Sequence, residues 1–193
     1  MADTARSLMT ADDFLVWCLD KEARYELVDG IPLEMMTEAS NAHDRIVVNV
    51  IASLHAQLRG TPCRPTTADI AVRTRHRSVR RPDVMVTCDP PAAETYEATA
   101  PKLIVEVLSP SNVGLGWQRK LDEYRRREGL TYLLLIDPAC IGATLYTRTG
   151  DRWDSTDADT LADVLDLPAV GCRLVMADIY DGCGLEAPTN PGE

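Results

Sequence analysis

The segment Pro101-Lys102-Leu103-Ile104-Val105-Glu106-Val107-Leu108-Ser109-Pro110 decides the fold. Leu103 to Leu108 is an apolar run of strand length, bounded by prolines, and it reads as a buried strand. Glu106 interrupts it. A carboxylate there costs several kcal/mol unless it is paired, protonated or bound to a metal. Working outward, a second acid stands 23 positions earlier, in Arg81-Pro82-Asp83-Val84-Met85-Val86, at the entry to another apolar strand. That spacing suits two strands joined by a loop. If the strands are neighbours and both side chains share a face, their β-carbons lie about 4.5–5.5 Å apart. Two carboxylates so placed repel, and a divalent cation resolves the repulsion. Mg²⁺ or Mn²⁺ takes carboxylates, a backbone carbonyl and water in octahedral geometry. Asp83 and Glu106 are therefore expected to be metal ligands in a site for metal-assisted hydrolysis.

A cation beside such a site can orient a nucleophile or neutralise charge on a phosphoryl oxygen. The chain has three lysines (21, 102 and 120) against seventeen arginines, so Lys120 stands out as that catalytic helper. Lys120 and Tyr124 are four apart and share a helix face. An exposed helical lysine is the plainer alternative. Arg73, Arg75, Arg77, Arg80 and Arg81 lie just before Asp83, and Arg119 and Arg125 to Arg127 follow Glu106. Arg75, Arg77, Arg80 and Arg81 are the candidates for nucleic-acid phosphate, with a solvated loop as the alternative. Ser109 and Ser111 read as turn formers, since no histidine is placed to activate them.

Around these segments, Thr10 with Asp13 caps a helix running to Leu19, with Phe14, Trp17 and Cys18 inward. Tyr25 to Met35 reads as a hairpin turning at Asp29-Gly30. Ile46, Val47, Val50, Ile51, Leu54 and Leu58 recur at helical spacing, which predicts a helix from His43 to Arg59, ended by Gly60. Strands are expected at 69–73, 83–88, 102–108, 131–137 and 143–147. The spacing also predicts a turn-rich loop at 109–116, a helix at 118–127, a polar stretch at 151–160 and a C-terminal unit around 173–180. The sum is one α/β domain, residues 1–184, with a mixed central sheet flanked by helices, and a frayed tail, 185–193.

At 193 residues, 45% hydrophobic and 26% charged, the composition is that of a globular protein with a real core. No segment approaches the length of a membrane span, and the N-terminus lacks the apolar core of a secretory signal. Six cysteines stand scattered without a CxxC, which argues against zinc and for reduced thiols in a cytoplasm. The formal charge of −10 disfavours strong non-specific attachment to DNA, although charge distribution matters more than the sum.

Several segments, in order, resemble the Uma-type restriction endonuclease family of the PD-(D/E)XK nuclease superfamily. They are Met9 to Leu15, Arg24 to Gly30, Ala42-His43, Arg81 to Val84, Ile104 to Ser111, Lys120 to Tyr124, and Tyr132 to Pro138. The resemblance implies a restriction-endonuclease-like core acting on DNA, with Asp83 and Glu106 as Mg²⁺ (or Mn²⁺) ligands. The superfamily lysine sits two residues after the second acid; here that position is Leu108, and the lysine is displaced to Lys120. Glu26 becomes a third metal ligand and His43 a supporting residue by the same resemblance. A homodimer is implied too, since cutting a duplex needs two strands cut. One departure is Gly116, where the family often carries an Asp four residues before the lysine. That departure and the acidic charge favour the alternative, an inactive nuclease-fold scaffold that binds a protein partner or nucleic acid. A structural metal or acid pair in an unrelated α/β protein is the third possibility.

Overall fold

The Leu103–Leu108 run forms the middle of a six-stranded sheet. The computed structural model describes residues 8–35, 39–90, 94–109 and 115–185, and in it this strand is β8 (Pro101–Val107). Its neighbours are β6 (Val84–Thr87) and β9 (Tyr132–Ile136). The sheet is completed by β3 (Arg64–Thr67) outside β6, and by β10 (Ala143–Thr149) and β11 (Arg152–Ala158) outside β9. β8 and β9 are parallel and every other pair is antiparallel, so the sheet is mixed as expected. A parallel pair needs a crossover, and α3 (Leu115–Arg125) supplies it.

Strand alternation decides which side chains meet α3. Leu103, Val105 and Val107 turn to one face, with Val84, Val86, Tyr132, Leu134 and Ile136, where Ile46, Val50, Leu54 and Leu58 of α2 (Asn41–Leu58) cover them. Ile104, Met85, Leu133 and Leu135 turn to the other face, under Leu121 and Tyr124 of α3. Glu106 falls in this second set by the period of two, and so points at α3.

A second sheet, in the order β2-β1-β5-β4-β7, was not foreseen as such. The expected hairpin is β1 (Tyr25–Val28) and β2 (Ile31–Glu34), turning at Asp29 and Gly30 with φ of 48° and 85°. It docks on β5 (Ser78–Arg80), which pairs with β4 (Ala71–Arg75), and β4 pairs in parallel with β7 (Glu97–Ala98). β5, β7 and β3 are too short, too polar or too proline-interrupted to show a period of two. Helix α1 (Ala11–Cys18) has the expected capping box, Thr10 Oγ1 accepting the Asp13 N–H at 3.2 Å, and seats Phe14 against Leu27, Ala71 and Val79. After Arg80 the chain crosses from this sheet to the first. Pro82 lies in that corner, where no ladder hydrogen bond needs its missing N–H.

Four expectations are corrected. The polar stretch 151–160 is strand β11, paired residue for residue with β10; as an exposed outer strand it needs no apolar alternation. Helix α3 begins at Leu115 rather than Gln118, which puts Gly116 in its first turn; residues 110–114 of the expected loop lie outside the described residues. The C-terminal unit is larger, with β12 (Val164–Leu167) and β13 (Cys172–Val175) followed by α4 (Met176–Ile179). Finally, Cys63 and Cys88 form a disulfide, so the thiols are not all free. The β3–β6 register that pairs Arg64 with Thr87 brings the two cysteines side by side, which a separation of 25 residues hides. The cytoplasmic expectation, drawn from reduced thiols, loses that basis. Of the expected tail, residues 186–193 lie outside the described residues. Among the described residues no helix is long and apolar enough to cross a membrane.

Candidate active site

Asp83 stands one residue before β6. Continuing the Val84–Val105 pairing by one step sets it opposite Glu106. Its Oδ2 accepts the Val107 backbone N–H at 2.8 Å and lies 3.5 Å from His43 Nε2. His43 is placed by the Ser40 cap, whose Oγ accepts the His43 N–H at 3.2 Å in the first turn of α2. Glu106 is 2% exposed. Tyr124 Oη donates to its Oε1 at 2.7 Å, and Lys120 Nζ lies 2.9 Å from Oε1 and 3.1 Å from Oε2. Lys120 also reaches Glu26 Oε1, at 3.2 Å. Asp83, Glu106, Lys120, Tyr124, His43 and Glu26 are thus brought to one place, and Lys120 is a buried residue rather than an exposed helical lysine.

The electrostatics follow from burial. Desolvation, helped by repulsion from Asp83 and Glu26, pushes the Glu106 carboxyl up to about 7 against the pull of Lys120. Burial alone would lower the Lys120 ammonium, but Glu106 and Glu26 outweigh it and hold it above the ordinary lysine range. The bond to Asp83 raises His43 despite burial. Burial acts to raise Glu26, yet Lys120 and Arg80 keep it below the usual carboxylate range.

The basic residues divide. Arg75 and Arg77 are exposed at the tip of the β4–β5 hairpin. That tip is tied down, for the His76 carbonyl accepts the Ala11 N–H at 3.0 Å and the Arg77 carbonyl accepts the Gly30 N–H at 2.7 Å. The neighbouring Asp29 pairs with Arg119 of α3, so the hairpin tip is linked through the Asp29-Gly30 turn to the helix that carries Lys120. Arg80 is corrected from a phosphate contact to an internal strut, while Arg81 is half-buried and tied to backbone. Arg80 is buried, donating to Glu123 and Glu26, while Arg81 donates to the backbone carbonyls of Tyr25, Ala68 and Asp69.

A divalent cation fits this donor set in chemistry. Asp83 and Glu106 are register-opposed carboxylates that repel each other, and carboxylate oxygens are the donors Mg²⁺ or Mn²⁺ takes. Among the described residues, no three His, Cys, Asp or Glu side chains converge closely enough to hold one ion, so Glu26 does not join Asp83 and Glu106 as a triad. Two carboxylates are a usual protein share for Mg²⁺, which keeps waters and substrate oxygens for the remainder.

Residues 11–177 match the Uma2 family, described as a putative restriction endonuclease. The chain belongs to that family. Two uncharacterized proteins of Synechocystis are similar to it. The protein slr1290 is 28% identical over 177 residues, covering 90% of this chain and 92% of its own. The protein sll1609 is 27% identical over 156 residues, covering 79% and 88%. Among solved structures, a putative nuclease of the DUF820 group from Anabaena variabilis superposes with a TM-score of 0.73 at 17% identity. That match covers 91% of this chain and 99% of the other, and it establishes the fold.

Sequence reasoning missed Glu123. It is fully buried, accepts from Arg80 Nε at 2.8 Å, Thr74 Oγ1 at 2.9 Å and Arg119 Nε at 3.1 Å, and lies below the usual carboxylate range because these bonds outweigh burial. One signal was available: Lys120, Leu121, Glu123 and Tyr124 share the buried face of α3, so two of its four residues are charged. The partner, Arg80, is 43 positions away and had no local mark.

Proposed function

We propose that this chain is a metal-dependent nuclease that hydrolyses phosphodiester bonds of DNA, with Asp83 and Glu106 holding Mg²⁺ or Mn²⁺. One observation carries the reading: a buried carboxylate at β8 stands register-opposed to a second one, with a buried lysine on it, in a chain of the Uma2 family. The cation would supply Lewis acidity for a water and a phosphoryl oxygen. The protein's own residues do the remainder. The Val107 N–H and His43 fix Asp83, and Tyr124 fixes Glu106 by its Oε1. Lys120 is within reach of Glu106 to orient the nucleophile and to neutralise charge developing on phosphorus-bound oxygen. The test is plasmid cleavage with Mg²⁺ or Mn²⁺: Asp83→Ala should lose at least about a hundredfold in rate, the scale of a lost electrostatic contributor. Cleavage by Asp83→Ala at the wild-type rate would refute the assignment.

Arg75 and Arg77 are the residues proposed to meet DNA phosphate, because they are exposed and their hairpin is tied through the Asp29-Gly30 turn to the helix that carries Lys120. Replacing both with Ala should weaken binding across sequences alike, and should reduce the slope of log affinity against log salt by about 2. An unchanged slope would move the DNA surface elsewhere. A two-fold dimer, testable by light scattering, would bring two such sites to the two strands.

The second reading, a scaffold that binds without cutting, is favoured by Gly116. It lies in the first turn of α3 in the position where the family often has Asp, and a β-carbon there meets nothing within 4 Å. Absence of cleavage by wild type together with cleavage by Gly116→Asp would establish that reading.

A further inference from the structure

Glu26 stands across Lys120 from Glu106, and its surroundings differ from those of the other two acids. Its Oε1 accepts the Arg81 backbone N–H at 3.0 Å and lies 3.2 Å from Lys120 Nζ; its Oε2 accepts from Arg80 Nη1 at 2.9 Å. Arg80 is clamped in turn by Glu123, which takes Nε at 2.8 Å and Nη2 at 3.2 Å. Glu123 rides on the same helix as Lys120, three residues on, and is itself braced by Thr74 and Arg119. Glu26 is therefore fixed from β5, α3 and the corner after β5 together. Both its oxygens face donors that are cationic or part of the backbone. Glu106 takes its hydrogen bonds from two side chains of α3, Lys120 and Tyr124, which can turn about their own torsions.

We propose that Glu26 is the permanent seat of Lys120 and not a ligand of the cation, with Arg80 and Glu123 as the positioning residues that hold it there. This rests on the metal-dependent reading above. Two observations support the division of labour. A divalent ion on Glu26 would stand beside the Arg80 guanidinium that already holds its Oε2, whose like charge opposes it. And Glu26 does not converge with Asp83 and Glu106 on a common point among the described residues. The consequence is that Glu106 is the carboxylate free to exchange partners. When it turns to a cation, Lys120 keeps a buried counter-charge in Glu26 and stays at the site.

The three lysines of the chain make this readable by NMR on full-length protein carrying ¹⁵N-lysine. The Lys120 ammonium is buried and hydrogen-bonded, so its N–H signal should be observable, unlike those of solvent-exposed lysines. Millimolar Mg²⁺ should shift that signal in wild type without removing it. In Glu26→Gln the signal should be present without Mg²⁺, held by Glu106, and should vanish when Mg²⁺ is added. Glu123→Gln, which keeps the side-chain shape but loosens Arg80, should give the same loss more weakly. Mn²⁺ affinity, measured by calorimetry, should fall less in Glu26→Gln than in Glu106→Gln, where the drop should be at least about tenfold, since even outer-shell losses cost about 10–100-fold. A fall in Glu26→Gln as large as that in Glu106→Gln, or loss of the wild-type Lys120 signal on adding Mg²⁺, would overturn the proposal while leaving the metal reading intact. A wild type with neither a Mg²⁺ shift nor Mn²⁺ binding would overturn both.

Discussion

Glu106→Gln should melt higher than the wild type at pH 8 in the presence of chelator. Burial, with repulsion from Asp83 and Glu26, raises the folded carboxyl to about 7, whereas in the unfolded chain it titrates near its ordinary 4.5. Between those values the folded state binds a proton that the unfolded state has released. Stability therefore falls as pH rises: the contribution of Glu106 is full below about 4.5 and is lost as pH passes through about 7. His43 acts in the same direction, because its raised folded value makes its contribution present below the unfolded value and lost above the folded one. Glu26 and Glu123, held low, contribute above the ordinary carboxylate range and lose that only as the solution becomes acidic. The amide variant mimics the protonated acid. Its stability should match wild type near pH 5 and exceed it at pH 8 by at most about 3 kcal/mol, taking 1.36 kcal/mol per unit. For a chain of this size that is up to about 10 °C in Tm. With Mn²⁺ the order should reverse, since wild type gains by mass action and the variant lacks a ligand. Melting curves from pH 5 to 8 that run parallel for the two proteins would contradict the buried, strained carboxylate.

The same residues show what a sequence can disclose. Leu103 to Leu108 is legible because a strand covered on both faces must be apolar at every position, so one acid in it stands out. The Asp29-Gly30 turn is legible because its two positive φ values suit few residues. The second sheet is not, because β5 and β7 have three and two residues and draw their stability from pairing with distant segments. β11 is hidden for the opposite reason: exposed on an outer position, its polar side chains follow no hydrophobic period. In the site, Asp83, Glu106 and Lys120 were legible as chemical oddities. Arg80 was misplaced because an arginine-rich run looks the same whether it meets phosphate or carboxylate. Only the fold reveals that Arg80 answers Glu26 and Glu123, and that Cys63 meets Cys88.

Lys120→Met should produce the largest loss of stability among substitutions at the site. It removes the ammonium that lies between Glu26 and Glu106 and leaves two buried carboxylates facing a neutral chain. Breaking a buried pair in this way costs about 3–5 kcal/mol. Met retains the length and volume of the lysine stem, so the loss reports charge, whereas Lys120→Ala adds a cavity on top of it. Protonation of Glu106 offers the variant an escape, so the loss should be smaller at pH 6 than at pH 8. Two further measurements separate charge from packing. In the double variant with Glu106→Gln most of the stability should return at pH 8, a coupling of 0.5–3 kcal/mol being usual for groups in contact. And Mn²⁺ should stabilise Lys120→Met more than wild type, because the added positive charge replaces the missing one. Yet the Mn²⁺-loaded variant should not cleave plasmid, since the ammonium that serves the reaction is gone. Lys120→Met within about 1 kcal/mol of wild type at pH 8 would mean that the buried cluster tolerates its charge without the lysine, against the cost of about 3–5 kcal/mol expected for a broken buried pair. Cleavage by it at the wild-type rate would take Lys120 out of the chemistry while leaving its structural role intact.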